Sequence, residues 1–111
     1  MSNVFIVPFR VKAMENSIMP SNVSEAFISC YAQGSSYVEA TERALKKLAS
    51  DGLHVEEILQ PIHEMAISDW SEHIKQQWPD YIDNLPAQSE FEGAVLSGQV
   101  VYGLFGSYNP E

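Results

Sequence analysis

Few side chains in this sequence could do chemistry: one cysteine, Cys30, three histidines, His54, His63 and His73, and a small turn, Gln33-Gly34-Ser35-Ser36. A thiol becomes a nucleophile where a base or a positive field makes the thiolate. Cys30 sits instead in the alternating stretch EAFISCYAQ, residues 25–33. On a strand, Ala26, Ile28 and Cys30 share one face, and Phe27, Ser29 and Tyr31 share the other. No spacing puts a histidine beside Cys30, so it is expected inside, as a small apolar residue.

The turn at 33–36 raises the question of a phosphate cradle, because a helix N-terminus offers free N–H groups and glycine lets a ligand approach. It has no Walker spacing, no GxGxxG and no lysine or arginine. A glycine turn followed by a serine N-cap accounts for all four residues. A metal site would have to draw on His63, Glu64, Asp69 and His73, or on Glu56 and Glu57. His63 and Glu64 are adjacent and point to opposite faces of a strand, and there is no HExxH, CxxC or EF-hand loop. No catalytic residue, cofactor or metal is expected.

The elements that would position these residues are read from periodicity. VFIVPFRV (4–11) is a strand, rich in β-branched and aromatic residues, and Pro8 suggests an edge or a bulge. A long polar loop, AMENSIMPSNVSE, leads to the second strand at 25–33. Ser36 and Glu39 then have capping-box spacing before an amphipathic helix. Tyr37, Ala40, Thr41, Ala44, Leu45 and Leu48 line one side, and Glu39–Arg43 and Glu42–Lys46 stand in i,i+4 order on the other. Gly52 supplies the stop.

HVEEILQPIHEMAI (54–67) reads as a strand, or as two short strands joined by a bulge, because Pro61 would break a helix. Asp69-x-x-Glu72 opens a short helix with Trp70, His73, Ile74, Gln77 and Trp78 on one side. Ser89-x-x-Glu92 opens another, with Phe91, Ala94 and Val95 as its apolar stripe and Gly98 as its end. QVVYGLFGSY (99–108) is the last strand, and its glycines mark bulges or close backbone approach. The order β-β-α-β-α-α-β predicts one α+β domain over residues 1–111, with a mainly antiparallel sheet and helices packed on one face. Self-association would cover the other face.

Charge bounds the partners. The 111 residues carry a formal charge of −9. Residues 1–50 hold Arg10, Lys12, Arg43, Lys46 and Lys47 against four acids, while the rest holds Lys75 alone against eleven. Such a surface gains little from counterion release, so nucleic acid is not an expected partner. A basic protein partner fits the sign, as does plain solubility. No apolar run nears the roughly 18 residues of a membrane span. MSNVFIVPFRVK lacks the basic and apolar regions of a signal peptide, and one cysteine makes no disulfide framework, so a cytoplasmic location is expected.

The stretch CYAQGSSYVEATERAL, extended to Leu48, resembles the strand–turn–helix signature of HicB-like antitoxin domains. There a strand with Cys or Tyr runs into a Gln-Gly or Gly-Asp turn, then into a helix with Glu-Ala and Ala-Leu pairs. The resemblance implies a β-β-β-α-β type module that masks a small basic ribonuclease toxin. The Pro-Asp-x-Pro-Gly approach of that family is replaced here by SNVSEAFIS, and no basic DNA-binding helix pair follows.

The leading expectation is therefore a non-enzymatic protein-binding module, antitoxin- or immunity-like at its most specific. Glu56, Glu57, Asp69, Glu72, Asp80 and Asp83 would meet a basic partner, with Trp70 and Tyr81 as anchors. One alternative is a small-molecule binder or weak enzyme with a pocket between sheet and helices near Tyr31, His54 and His63. Another is a structural homodimer.

Overall fold

A computed structural model describes residues 3–13, 25–103 and 106–107 of the chain. Strands β1 (Asn3–Ala13) and β2 (Glu25–Ala32) form its antiparallel centre, with Phe5 opposite Ala32 and Val11 opposite Ala26. Helix α1 (Tyr37–Ser50) follows. Strands β3 (Leu53–Ile58) and β4 (His63–Ala66) then run one after the other along the outer edge of β1. Helices α2 (Trp70–Gln77) and α3 (Gln88–Leu96) come next. Two short strands, β5 (Val101–Tyr102) and β6 (Gly106–Ser107), share the outer edge of β2. All strand pairings are antiparallel, and the α+β class and element order follow the sequence expectation, with residues 53–66 split into two strands as one of its two readings had it.

The layering differs from expectation. The helices pack on both faces of the sheet. On the first face Val7, Phe9 and Val11 of β1 join Ala26, Ile28 and Cys30 of β2 under Ala44 and Leu48 of α1. On the second face Val4, Ile6 and Tyr31 pack with Trp70 and Ile74 of α2 and Phe91 and Val95 of α3. The cause lies in β1 and β2, whose residues are apolar on both sides near one end, so that end must be covered twice. The coverage of the second face by α2 and α3 removes part of the reason to expect a dimer there.

Pro8 is in a central strand rather than at an edge. Its missing N–H matters little, because the neighbouring edge is interrupted there: β4 pairs as far as Ile6, β3 starts at Phe9, and Leu59 N–H donates to the Pro8 carbonyl at 2.8 Å. The pairing of β1 with β3 shifts register between Arg10 and Val11, not at Pro8 where a bulge was the alternative expectation.

Local signals act at α1 as its spacing predicts. Ser36 Oγ accepts from Glu39 N–H at 3.5 Å, and Glu39 Oε1 accepts from Ser35 N–H at 2.9 Å. A Cβ on Gly34 would lie 2.7 Å from the Ala40 nitrogen, so the turn closes on the helix only with glycine there. Gly52 and Gly98 follow α1 and α3 with φ of 77° and 90°, the left-handed stops expected of them. The other two expected capping boxes do not form. Asp69 makes no side-chain cap, and α3 begins two residues early, at Gln88 after Ala87, with Glu90 Oε1 accepting from Ala87 N–H.

Candidate functional site

The interruption of both edges opens a recessed region of mixed chemistry on the second face. Its floor is two cross-strand rows, Ile6 with Tyr31 and Pro8 with Ser29. One wall is the connection between β3 and β4, Leu59 to Pro61, continued by His63, which stands opposite Ile6. The other wall comes from α2 and its end: His73, Gln77 and Trp78. The cleft encloses about 340 Å³ and is open to solvent on one side. That is the size range of small-molecule sites.

Each lining residue is placed by a local cause. Tyr31 follows Cys30 on β2 and so faces the opposite side of the sheet. Helix α2 presents His73 three residues after Trp70, one turn along the same face. Trp70 is wholly buried, stacks on Phe91 with ring centroids 4.1 Å apart, and donates its indole N–H to the Pro86 carbonyl at 2.8 Å. Tyr31 meets Trp70 edge to face at 5.0 Å. Trp78 lies against Gly103, where a Cβ would come within 2.5 Å of the indole ring. This is the close approach that the glycine in the last strand predicts, and it holds Trp78 over the cleft's end.

At the floor, Tyr31 Oη and His73 Nε2 are 2.7 Å apart. Burial raises the Tyr31 pKa well above its ordinary value, with a further push from the neighbouring Cys30, and burial lowers that of His73. Both groups are therefore neutral at neutral pH. The two share one hydrogen bond, whose direction follows the tautomer of the neutral imidazole. The pair suits positioning better than proton transfer, since Tyr31 is only 1% exposed and its hydroxyl is already engaged.

The cleft lining contains no carboxylate, lysine or arginine. What it offers is hydrogen bonding from Ser29, Gln60, Gln77 and the two histidines, between apolar walls of Pro8, Pro61 and Trp78. A charged ligand would lose hydration there and gain no countercharge. Among the described residues no group of three or more His, Cys, Asp or Glu side chains is placed to hold a metal ion.

The sequence-derived site residues are distributed differently. Of Tyr31, His54 and His63, the structure joins Tyr31 and His63 and adds His73. His54 pairs across from Lys12, six positions along β1 from the His63 row, or roughly 20 Å. His63 and Glu64 do face opposite sides: His63 lines the cleft, while Glu64 lies beside Phe5 in a hollow of the other face. Cys30 is buried on the first face, and burial pushes its thiol pKa far up.

Among the proposed partner contacts, Trp70 is corrected: it is a core residue and cannot anchor a partner. Its helical phase with Ile74 is the reason, since α2 turns that face to the sheet. Glu56, Asp69, Glu72, Asp80 and Asp83 are exposed, and Tyr81 is 53% exposed. Glu57 is exposed and lies 3.4 Å from Arg10. Glu56 and Glu57 belong to β3, and the others to α2 and the turns flanking it, so they form two groups on separate elements. Of the last strand expected over 99–108, Leu104, Phe105 and Tyr108 lie outside the described residues. So does the loop over 14–24. Tyr102 is half-buried on the first face, donating its hydroxyl to Asp51 Oδ2 at 2.7 Å.

The sequence reading missed Gln88 and left His73 out of the pocket it placed near Tyr31, His54 and His63. Gln88 ties α2 to α3: its Oε1 accepts from Ser71 N–H and Oγ–H at 2.9 Å each, and its Nε2 donates to the Ile67 carbonyl and to Glu92. It thus caps α2 from another helix, the task expected of Asp69. For His73, its place on the helix face shared with Trp70 and Trp78 was the available signal.

No helix among the described residues is long and apolar enough to cross a membrane. No family model matches this chain, and no curated protein or solved structure is significantly similar to it.

Proposed function

We propose that this protein binds a small, uncharged, planar molecule in the cleft between the sheet and α2, without catalysing its conversion. The observation that supports this most is the lining itself: hydrogen-bonding groups between aromatic and proline walls, with no formally charged acid or base among them. The ligand's flat face lies against Trp78 and Pro8, and its polar edge meets Ser29, Gln77 and the histidines. Calorimetric titration with benzamide and with benzoate tests the charge selection. The amide should bind and the carboxylate should not. Equal affinity for the two, or unchanged benzamide affinity in Trp78→Ala, would remove the basis of the reading.

A second reading keeps the protein partner. It is supported by Tyr81, exposed between Asp80 and Asp83 in the turn after α2. An exposed aromatic flanked by carboxylates suits a basic partner, and similarity of residues 30–48 to HicB-like domains gives that partner a form, a small basic toxin. Binding to such a toxin at low salt that survives Tyr81→Ala together with Asp80→Asn and Asp83→Asn would exclude this surface. Light scattering on the isolated protein separates a homodimer from a monomer.

A further inference from the structure

Half of the chain's six cationic side chains line a single groove on the other side of the molecule from the cleft. Arg43, Lys46 and Lys47 of α1 are spaced i, i+3, i+4 and so share one helix face. Facing them is the segment Gly98–Val100, which leads from α3 into β5. The groove encloses about 320 Å³.

Two of the three cations are held in place. Glu39, fixed by its bond from Ser35 N–H, lies 3.8 Å from Arg43 Nη2. Lys47 Nζ lies 3.5 Å from Asp51 Oδ2, which is itself held by the Tyr102 hydroxyl, and 5.9 Å above the Tyr102 ring. Both carboxylate distances exceed the roughly 2.8 Å of a charge-assisted hydrogen bond, so neither cation has its donors saturated. Lys46 makes no ion pair with a described residue; the expected Glu42–Lys46 pair is absent from the ion pairs of the described residues.

We infer that this groove binds a small multiply charged anion, a phosphate or diphosphate group. The Arg43 guanidinium supplies a planar fork for two phosphoryl oxygens, and Lys46 and Lys47 supply point charges beside it. The rest of the surface sets the size of the ligand. Screening confines each charge to about 8 Å at physiological salt, so a compact anion experiences the groove alone. An extended polyanion would run from the groove onto an acidic surface. The site is not the Gln33–Ser36 turn, where Glu39 takes the Ser35 N–H and Ser36 Oγ takes the Glu39 N–H; it is the side-chain face of the same helix farther along.

The test is calorimetric titration of the full chain with pyrophosphate, inorganic phosphate and glycerol phosphate at physiological ionic strength. Saturable binding at one site is expected, tightest for pyrophosphate. Arg43→Gln and Lys46→Gln should each weaken it about tenfold, the scale of one hydrogen bond to a charged group. Lys75→Gln removes the same unit charge from exposed α2 and should leave affinity unchanged. Far-UV circular dichroism on each variant separates lost binding from lost folding. Absence of saturation, equal weakening by Lys75→Gln, or tighter binding of a single-stranded oligonucleotide than of pyrophosphate would overturn the inference.

Discussion

Pro8 and Ser29 face each other across the two central strands, and neither spends its carbonyl on the other. The Pro8 carbonyl turns outward to Leu59 N–H, and that of Ser29 turns outward to Gly103 N–H, both at 2.8 Å. On both flanks the edge strand breaks at this row: β4 gives way to β3 beside Pro8, and β5 to β6 beside Ser29. The sheet therefore narrows to two strands where the cleft opens. The floor of the site and the interruption of the edges are one feature, and the absent N–H of proline makes it tolerable.

Gly103 carries the far side of that break. In Gly103→Ala the new methyl would stand 2.5 Å from the Trp78 ring, which must move. A loss of about 1–3 kcal/mol in urea unfolding is expected from such overpacking, with a red shift in tryptophan emission as Trp78 gains water. An unchanged spectrum and midpoint would mean that the indole does not rest on Gly103.

Tyr31→Phe removes the hydroxyl bonded to His73 and should lower stability by about 1 kcal/mol, leaving the half-buried imidazole nitrogen to find solvent. Urea denaturation at neutral pH measures the difference directly. A larger loss, with altered near-ultraviolet dichroism, would show that the aromatic packing around Trp70 depends on that hydroxyl as well.

His73 makes stability depend on pH in a fixed direction. Its folded pKa lies below the unfolded value near 6.5 because burial disfavours the imidazolium. The neutral ring's contribution is complete above about pH 6.5 and is lost as pH falls from there through the folded pKa, because the unfolded chain takes the proton first. In His73→Gln the decline of stability over that acid range should be shallower than in the wild type. Parallel curves would assign the slope to other groups.

Gln88 has no equivalent among its isosteres. Gln88→Leu leaves Ser71 N–H and the Ile67 carbonyl without their partner, and Gln88→Glu leaves the carbonyl without a donor and sets two carboxylates together at Glu92. Each change should reduce stability by about 1–3 kcal/mol, with Gln88→Glu partly restored at low pH. Hydrogen exchange at the start of α2 should rise in both variants.

What was legible in the sequence was local. Alternation placed Cys30 and Tyr31 on opposite faces, Ser36 and Glu39 marked the start of α1, and Gly52 and Gly98 marked two ends, because each signal lies within a few residues of its consequence. What was not legible depended on distant contacts. Trp70 could be core or interface until α2 was known to fold onto the second face, and that same step is what brings His73 to Tyr31, 42 residues away. Asp69 and Ser89 have the spacing of caps, yet Gln88 and Glu90 take those roles because the approach of α3 to α2 fixes where each helix begins. Pro8 looked like an edge residue because the sequence around it does not disclose that the neighbouring strand leaves the sheet there.

The central claim is that the cleft selects a neutral planar ligand, and amide chemical-shift mapping with benzamide tests it most directly. Saturable shifts confined to Ile6, Ser29, Tyr31, Gln60, His63, His73, Gln77 and Trp78 are expected, with none from benzoate at the same concentration. Shifts on α1 or along the first face, or the same pattern from benzoate, would contradict it.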